Sequence, residues 1–241
     1  MTAKEHYDNH LGDFYSWMAG DFEEKQREHQ QFLADQGISP ASTKFAIDLG
    51  AGHGIQSVSL AKVGFNVKAI DFNRQLLTEL KQNTKGLAVE VIEDDIRAIS
   101  KYAKPGPELI ICWGDTLTHL ESVKEIERLL FDCYDALTEN GKLIISFRDY
   151  SAELIGESRF IPVKSDAGRI LTCFLEYFPD HVRVTDLLYE KDVMGWKQKV
   201  SSYKKVRFLP SSVKNYLEKI GMKVIFEGIV SRLNTIIAIK E

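Results

Sequence analysis

The stretch FAIDLGAGHG, residues 45–54, constrains this chain most: a short apolar strand signal carrying one acid, Asp48, runs directly into glycines at 50, 52 and 54. Glycine is the residue that takes left-handed backbone without a Cβ penalty and lets another backbone or a ligand come close. A strand that enters such a loop and leaves it as a helix belongs to an open α/β sheet. There the loop faces a ligand crevice at the carboxyl ends of the strands.

The rest of the chain keeps the same rhythm. A helix follows the loop to Val63 and stops at Gly64; residues 66–71 form a strand, 73–84 a helix, and 87–94 and 108–113 two further strands. Ser122 and Glu125 make a capping box that opens a helix through Leu137, and residues 142–147 form a fifth strand. Strands alternating with helices at this spacing imply a parallel sheet with right-handed crossovers. After Arg148 the pattern changes to RILTCFLEYF, HVRVTDLLYE and WKQKVSSYKKVRF, which read as antiparallel strands, and a helix capped by Ser211 or Ser212 follows. KVIFEG and NTIIAIK are joined too tightly for a parallel crossover and pair antiparallel.

The expected fold is α/β: a doubly wound, Rossmann-like seven-stranded sheet with an antiparallel last strand and an antiparallel β-insert after strand 5. The divisions within this one domain are an N-terminal helical lid segment over residues 1–44, with a helix at 13–36, a cofactor-binding core at 45–150, the insert at 151–208, and the end of the core at 209–241.

The loop also speaks about its ligand. The dinucleotide fingerprint G-x-G-x-x-G needs its third glycine at position 55, where this chain has Ile55. A carboxylate at Asp48 repels a pyrophosphate and attracts an ammonium group, so the loop favours a cationic, phosphate-free ligand.

Composition narrows the partners. With 31 basic and 35 acidic residues the net charge is −4, which argues against a nucleic-acid surface. The one basic run, residues 197–207, reads as a solvated strand face. No apolar run reaches the ~18 residues of a membrane span and MTAKEHYDNH is not a signal peptide, so a cytoplasmic location is expected. Cys112, Cys133 and Cys173 lie in apolar surroundings and read as reduced thiols. His6 and His10 have the i, i+4 spacing of metal ligands but no evident third ligand, so no metal is expected. His53 reads as an exposed loop spacer.

AIDLGAGHG resembles the first motif of class I S-adenosylmethionine-dependent methyltransferases. That resemblance implies contacts from Asp48, Gly50 and Gly52 to the methionine part of the cofactor. It extends over about residues 45–148, with three further stretches in place. Asp71, ending the second strand, matches the acid that accepts the ribose hydroxyls, its alternative being a helix cap. Asp95 in EDDI resembles the acid near the adenine amino group, with Asp94 as the other candidate and a helix cap as the alternative for Asp95. Phe72 and Ile96, beside these acids, join the expected contacts. Trp113, in CWGDTLTHL, flanks the adenine or is a buried strand-end aromatic.

GDTLTHL and ISFRDY are similar to the glycine N-methyltransferase-like branch, with Asp115 and Asp149 standing where that branch has asparagines. The N-terminal HYDNHLGDFYSWMAGD resembles it too. By that alignment Tyr7 reaches the substrate and Lys25 falls near the basic residue that grips the cofactor carboxylate. Arg148 ends a buried strand, where a guanidinium is costly without an anionic partner. That partner is a carboxylate on the methyl acceptor or a protein acid such as Asp149.

The implied chemistry is methyl transfer from S-adenosylmethionine to a small molecule, on the nitrogen of an amine or amino acid. An oxygen nucleophile would need a base, for which His119 is the best candidate. A small-molecule O-methyltransferase and a non-catalytic cofactor-binding protein are the alternatives. A nucleic-acid methyltransferase lacks support, because CWGD stands where amino-methylating families carry an Asn/Asp-Pro-Pro-aromatic stretch.

Overall fold

The computed structural model describes residues 1–241. Strands β1 (Phe45–Leu49), β2 (Asn66–Asp71), β3 (Val89–Glu93), β4 (Leu109–Cys112) and β5 (Lys142–Phe147) are parallel neighbours. Strands β6 (Phe160–Ser165), β7 (Arg169–Tyr177), β8 (His181–Asp192) and β9 (Gly195–Val206) form a separate antiparallel sheet. The pair β10 (Met222–Val230) and β11 (Leu233–Lys240) completes the first sheet in the order β3-β2-β1-β4-β5-β11-β10, with β11 antiparallel to both neighbours. The seven-stranded sheet with a reversed strand and a β-insert is as expected.

The period of two sorts the faces of β1. Ile47 and Leu49 point into the core shared with α6 (Val123–Ala136), while Ala46 points toward a second core shared with α3 (Phe22–Asp35) and α4 (Ile55–Lys62). Asp48 shares the Ala46 side, toward α4. The helix α5 (Arg74–Asn83) packs Leu77 and Leu80 on Ala69, and α7 (Pro210–Lys219) packs Val213 and Leu217 beside α6. No helix is long and apolar enough to cross a membrane.

Two boundaries differ from expectation. The N-terminal segment is not one helix over 13–36. It comprises α1 (Ala3–Asn9), opened by a Thr2–Glu5 capping box, a 3-10 turn at Leu11–Asp13, α2 (Tyr15–Ala19) and then α3. Gly20 at φ 98° turns the chain between α2 and α3, and Asp21 caps α3. The last helix starts one residue before Ser211, with Pro210 in its first turn and no side-chain cap. Proline's fixed φ starts a helix without a capping hydroxyl.

The second sheet lies over the carboxyl ends of the first. Its register aligns Cys173, Asp186 and Ser201, then Leu175, Val184 and Tyr203, then Tyr177, Val182 and Lys205. Leu171 and Leu188 on its far end bury Leu11 and Phe14, so the N-terminal segment is wedged between the two sheets.

Candidate active site

A cavity of about 900 Å³ joins the glycine loop to the inner face of the second sheet. Gly50 (φ 74°) and Ala51 form its edge on the β1 side, and Gly52 (φ 54°) turns the loop just behind them. A Cβ on Gly50 would run into the Thr116 side chain, and one on Gly52 would face the Tyr15 ring at 3.7 Å. Gly54 serves packing instead: a Cβ there would sit 3.1 Å from Leu80 of α5.

The acids divide by which way their strands point them. Asp48, 1% exposed, faces α4, accepts a 2.6 Å bond from Ser57 Oγ and does not line the cavity. Burial pushes its pKa up to about 7 against the bond from Ser57. Asp71 joins two loops, accepting from the Gly52 N–H at 2.9 Å and the Asn73 N–H at 2.8 Å. Burial raises its pKa, and those backbone bonds oppose the rise. The helix cap is Asn73, whose side chain accepts from Leu76 N, so Asp71 is free of that duty.

The third pair turns away from the cavity. Asp95 caps the 3-10 turn Ile96–Lys101 and pairs with Arg97 at 2.7 Å. Asp94 accepts from Tyr102 Oη at 2.6 Å and from Lys101, which hold its carboxyl down to about 2. Ile96 is buried in the core with α6. None of the three lines the cavity, and the helix-cap reading of Asp95 describes its geometry. Phe72 packs edge-on against Tyr7 at 5.6 Å.

Asp115 is the hub of the polar floor. Its carboxylate accepts from Arg148 N at 2.9 Å and Tyr150 Oη at 2.8 Å, and forms a close ion pair with Lys205 Nζ. Burial alone would raise its pKa, but Lys205 and these bonds hold it below the usual carboxylate range. Lys205 corrects the reading of 197–207 as a solvated face. Ser201, Tyr203 and Lys205 are buried at alternate positions, with Val200 before them and Lys204 between them exposed, a strand alternation that a run of basic residues disguises. Arg148 is not a buried guanidinium: its side chain is 57% exposed at the cavity wall, with Asp115 3.9 Å away. Asp149 instead accepts from Ser151 N.

Aromatic rings fill one side of the cavity. Tyr203 lies between His6 and His119, with centroids 4.0 and 5.5 Å away, and Tyr7 meets His119 edge-on. Burial pushes the His119 pKa down to about 3, aided by Lys205, and its Nδ1 has no hydrogen-bond partner. His6 contacts Ser201 Oγ at 2.8 Å through Nδ1, and its Nε2 sits 3.1 Å from Asp186, off the line of a hydrogen bond. His53 corrects its reading as an exposed spacer: it is 5% exposed between Tyr15 and Phe22. On the opposite side Trp113 lines the cavity packed on His29 and Phe32 of α3, and Lys25 lines it while paired with Glu28. The three cysteines are free.

Residues 46–141 match the model of the methyltransferase domain family. With the strand order above, the α/β core of this chain has the fold and the family match of a class I S-adenosylmethionine-dependent methyltransferase domain. Within that class, the chain is 28% identical over 109 residues to a glycine/sarcosine N-methyltransferase of Aphanothece halophytica, covering 44% of this chain and 41% of that one. It is 32% identical over 95 residues to a ubiquinone biosynthesis O-methyltransferase of Ralstonia nicotianae, covering 39% and 40%. The match thus spans less than half the length of these two relatives. Among solved structures, an amino pentose methyltransferase of Micromonospora echinaspora, bound to S-adenosylmethionine, superposes with a TM-score of 0.74 over 95% of this chain and 96% of that one, at 15% identity. That likeness extends the shared fold to the second sheet.

Proposed function

We propose that this protein is an S-adenosylmethionine-dependent methyltransferase that methylates the nitrogen of a small amine or amino acid, with Arg148 holding a carboxylate on the acceptor. One observation carries the reading: a single cavity connects the glycine loop to Arg148, Asp115, Lys205 and His119 under the second sheet. The chain's residues fit the cofactor. Gly50 has room for no Cβ against Thr116 at the cavity edge, and each Asp71 oxygen retains a lone pair beyond its backbone bond for a ribose hydroxyl. Lys25 on the α3 side suits the cofactor carboxylate, and Tyr7, backed by Phe72, offers a ring to the adenosine. Asp48 acts through the loop, holding α4 by Ser57. Asp94, Asp95 and Ile96 have structural partners and no part in this proposal.

Bound there, S-adenosylmethionine supplies a methyl on a sulfonium, which passes in line to the acceptor nitrogen while sulfur keeps the bonding pair. The chain's contribution is proximity, alignment and exclusion of water. An amine needs only to be neutral when it attacks, whereas an alcohol or phenol needs a base. His119, held to about 3, is a neutral imidazole and a weak base. Such a group is unsuited to proton abstraction from an alcohol, which favours nitrogen over oxygen.

The test has two stages. Calorimetry against S-adenosylhomocysteine and NAD is expected to give micromolar affinity for the first and no heat for the second; the reverse would sink the proposal. A screen of amines, amino acids and phenols, read as S-adenosylhomocysteine formation, then identifies the acceptor. Binding without turnover of any acceptor would favour a cofactor-binding protein without catalysis.

A further inference from the structure

The acceptor half of the cavity has a roof as distinctive as its floor. Strand alternation brings Leu175 of β7 and Val184 of β8 side by side on the inner face, 7% and 3% exposed, with Ile161 of β6 packed against them. At the mouth, Leu154 and Val163 stay 37% and 39% exposed while lining the same cavity. Apolar side chains left in water around a pocket are costly unless a ligand covers them. The floor opposite is polar and charged. The cavity of about 900 Å³ holds the cofactor as well as the acceptor, and the part under the second sheet is lined by these apolar side chains.

We infer that the methyl acceptor is amphipathic, with its polar head on the Arg148–Asp115–Lys205 floor and an apolar chain or ring at least four carbons long under Ile161, Leu175 and Val184. Those three residues select for length, and glycine is not the acceptor. The inference rests on the methyltransferase reading of this site, yet its test needs no turnover.

The probes are n-alkyl carboxylates and n-alkylamines of two, four and six carbons, titrated calorimetrically into the full chain with and without saturating S-adenosylhomocysteine. Two head groups are used so that a poor head cannot mask the roof. The affinity in at least one series is expected to rise about fourfold per added methylene, the hydrophobic gain of one buried CH₂. Ile161→Ala, at a half-buried position, is expected to weaken the six-carbon probe about fivefold and leave the two-carbon probe unchanged. Val184→Phe, which fills the roof, is expected to abolish the six-carbon advantage. Affinity that is flat with length in both series overturns the inference, as does an unchanged ladder in a folded Ile161→Ala protein. Loss of S-adenosylhomocysteine binding would bring down the cofactor reading alone, because the ladder without cofactor still decides the pocket.

Discussion

The Lys205 ammonium is pressed against the Asp115 carboxylate beneath the cavity, with only 7% and 12% of the two side chains exposed. One charge comes from the second sheet and the other from the loop after β4, so the pair fastens the insert to the core. Removing one partner strands the other charge. Lys205→Met is expected to cost about 3–5 kcal/mol in denaturant unfolding, and the double variant Lys205→Met, Asp115→Asn to recover most of that loss. A single variant as stable as the wild type would mean that water reaches the pair and screens it.

Asp71 is expected to serve both loop and ligand. Asp71→Ala leaves the N–H groups of Gly52 and Asn73 without their acceptors, a loss of about 1–3 kcal/mol of stability. It also removes the acceptor for the ribose hydroxyls, so affinity for S-adenosylhomocysteine should fall at least tenfold in protein still folded at the assay temperature. Lowered stability with full affinity would make the residue a loop staple only.

For Asp48 the expectation concerns pH. Its folded pKa of about 7 lies above the value of 3.8 it has when unfolded, so the folded state binds the extra proton between those limits. Stability from this group is therefore greatest in acid and is lost as pH rises through 4 to 7, by about 4 kcal/mol in total. Asp48→Asn keeps an acceptor for Ser57 and carries no charge. It should melt above the wild type at pH 8, with the difference vanishing near pH 4. Parallel melting curves at all pH values would mean that Asp48 is solvated by the glycine loop.

Arg148 separates binding from stability. Its guanidinium is half in solvent and its one protein carboxylate is 3.9 Å away, a contact worth about 1 kcal/mol at most. Arg148→Lys should leave melting and S-adenosylhomocysteine affinity nearly unchanged. Turnover of the true acceptor should drop about a hundredfold, because lysine lacks the planar fork that grips a carboxylate. Full turnover by the variant, or a best acceptor without an anionic group, would remove Arg148 from the site.

The alternation of strands and helices, the reversed β11 and the glycine loop were legible in the sequence because each depends on short-range pattern. Strand and helix periods, the capping box at Ser122 and the tight link before β11 are all written within a few residues of where they act. Tyr7, Arg148 and His119, singled out by the resemblance of their motifs, line the cavity. What only the tertiary structure decided is which way side chains point and what they meet. The same carboxylate chemistry at Asp48, Asp71 and Asp95 ends in three environments: under α4, between two loops, and on a 3-10 turn. Lys205 looked like one charge among many in a solvated run, and His53 like a spacer, yet both are buried. Burial depends on pairing register and on the element laid over the strand, both set by contacts between residues far apart in the chain. A local pattern marks where a charged side chain sits along a strand; the partner brought in from a distant loop, Asp115 for Lys205, determines whether that charge faces water or the cavity.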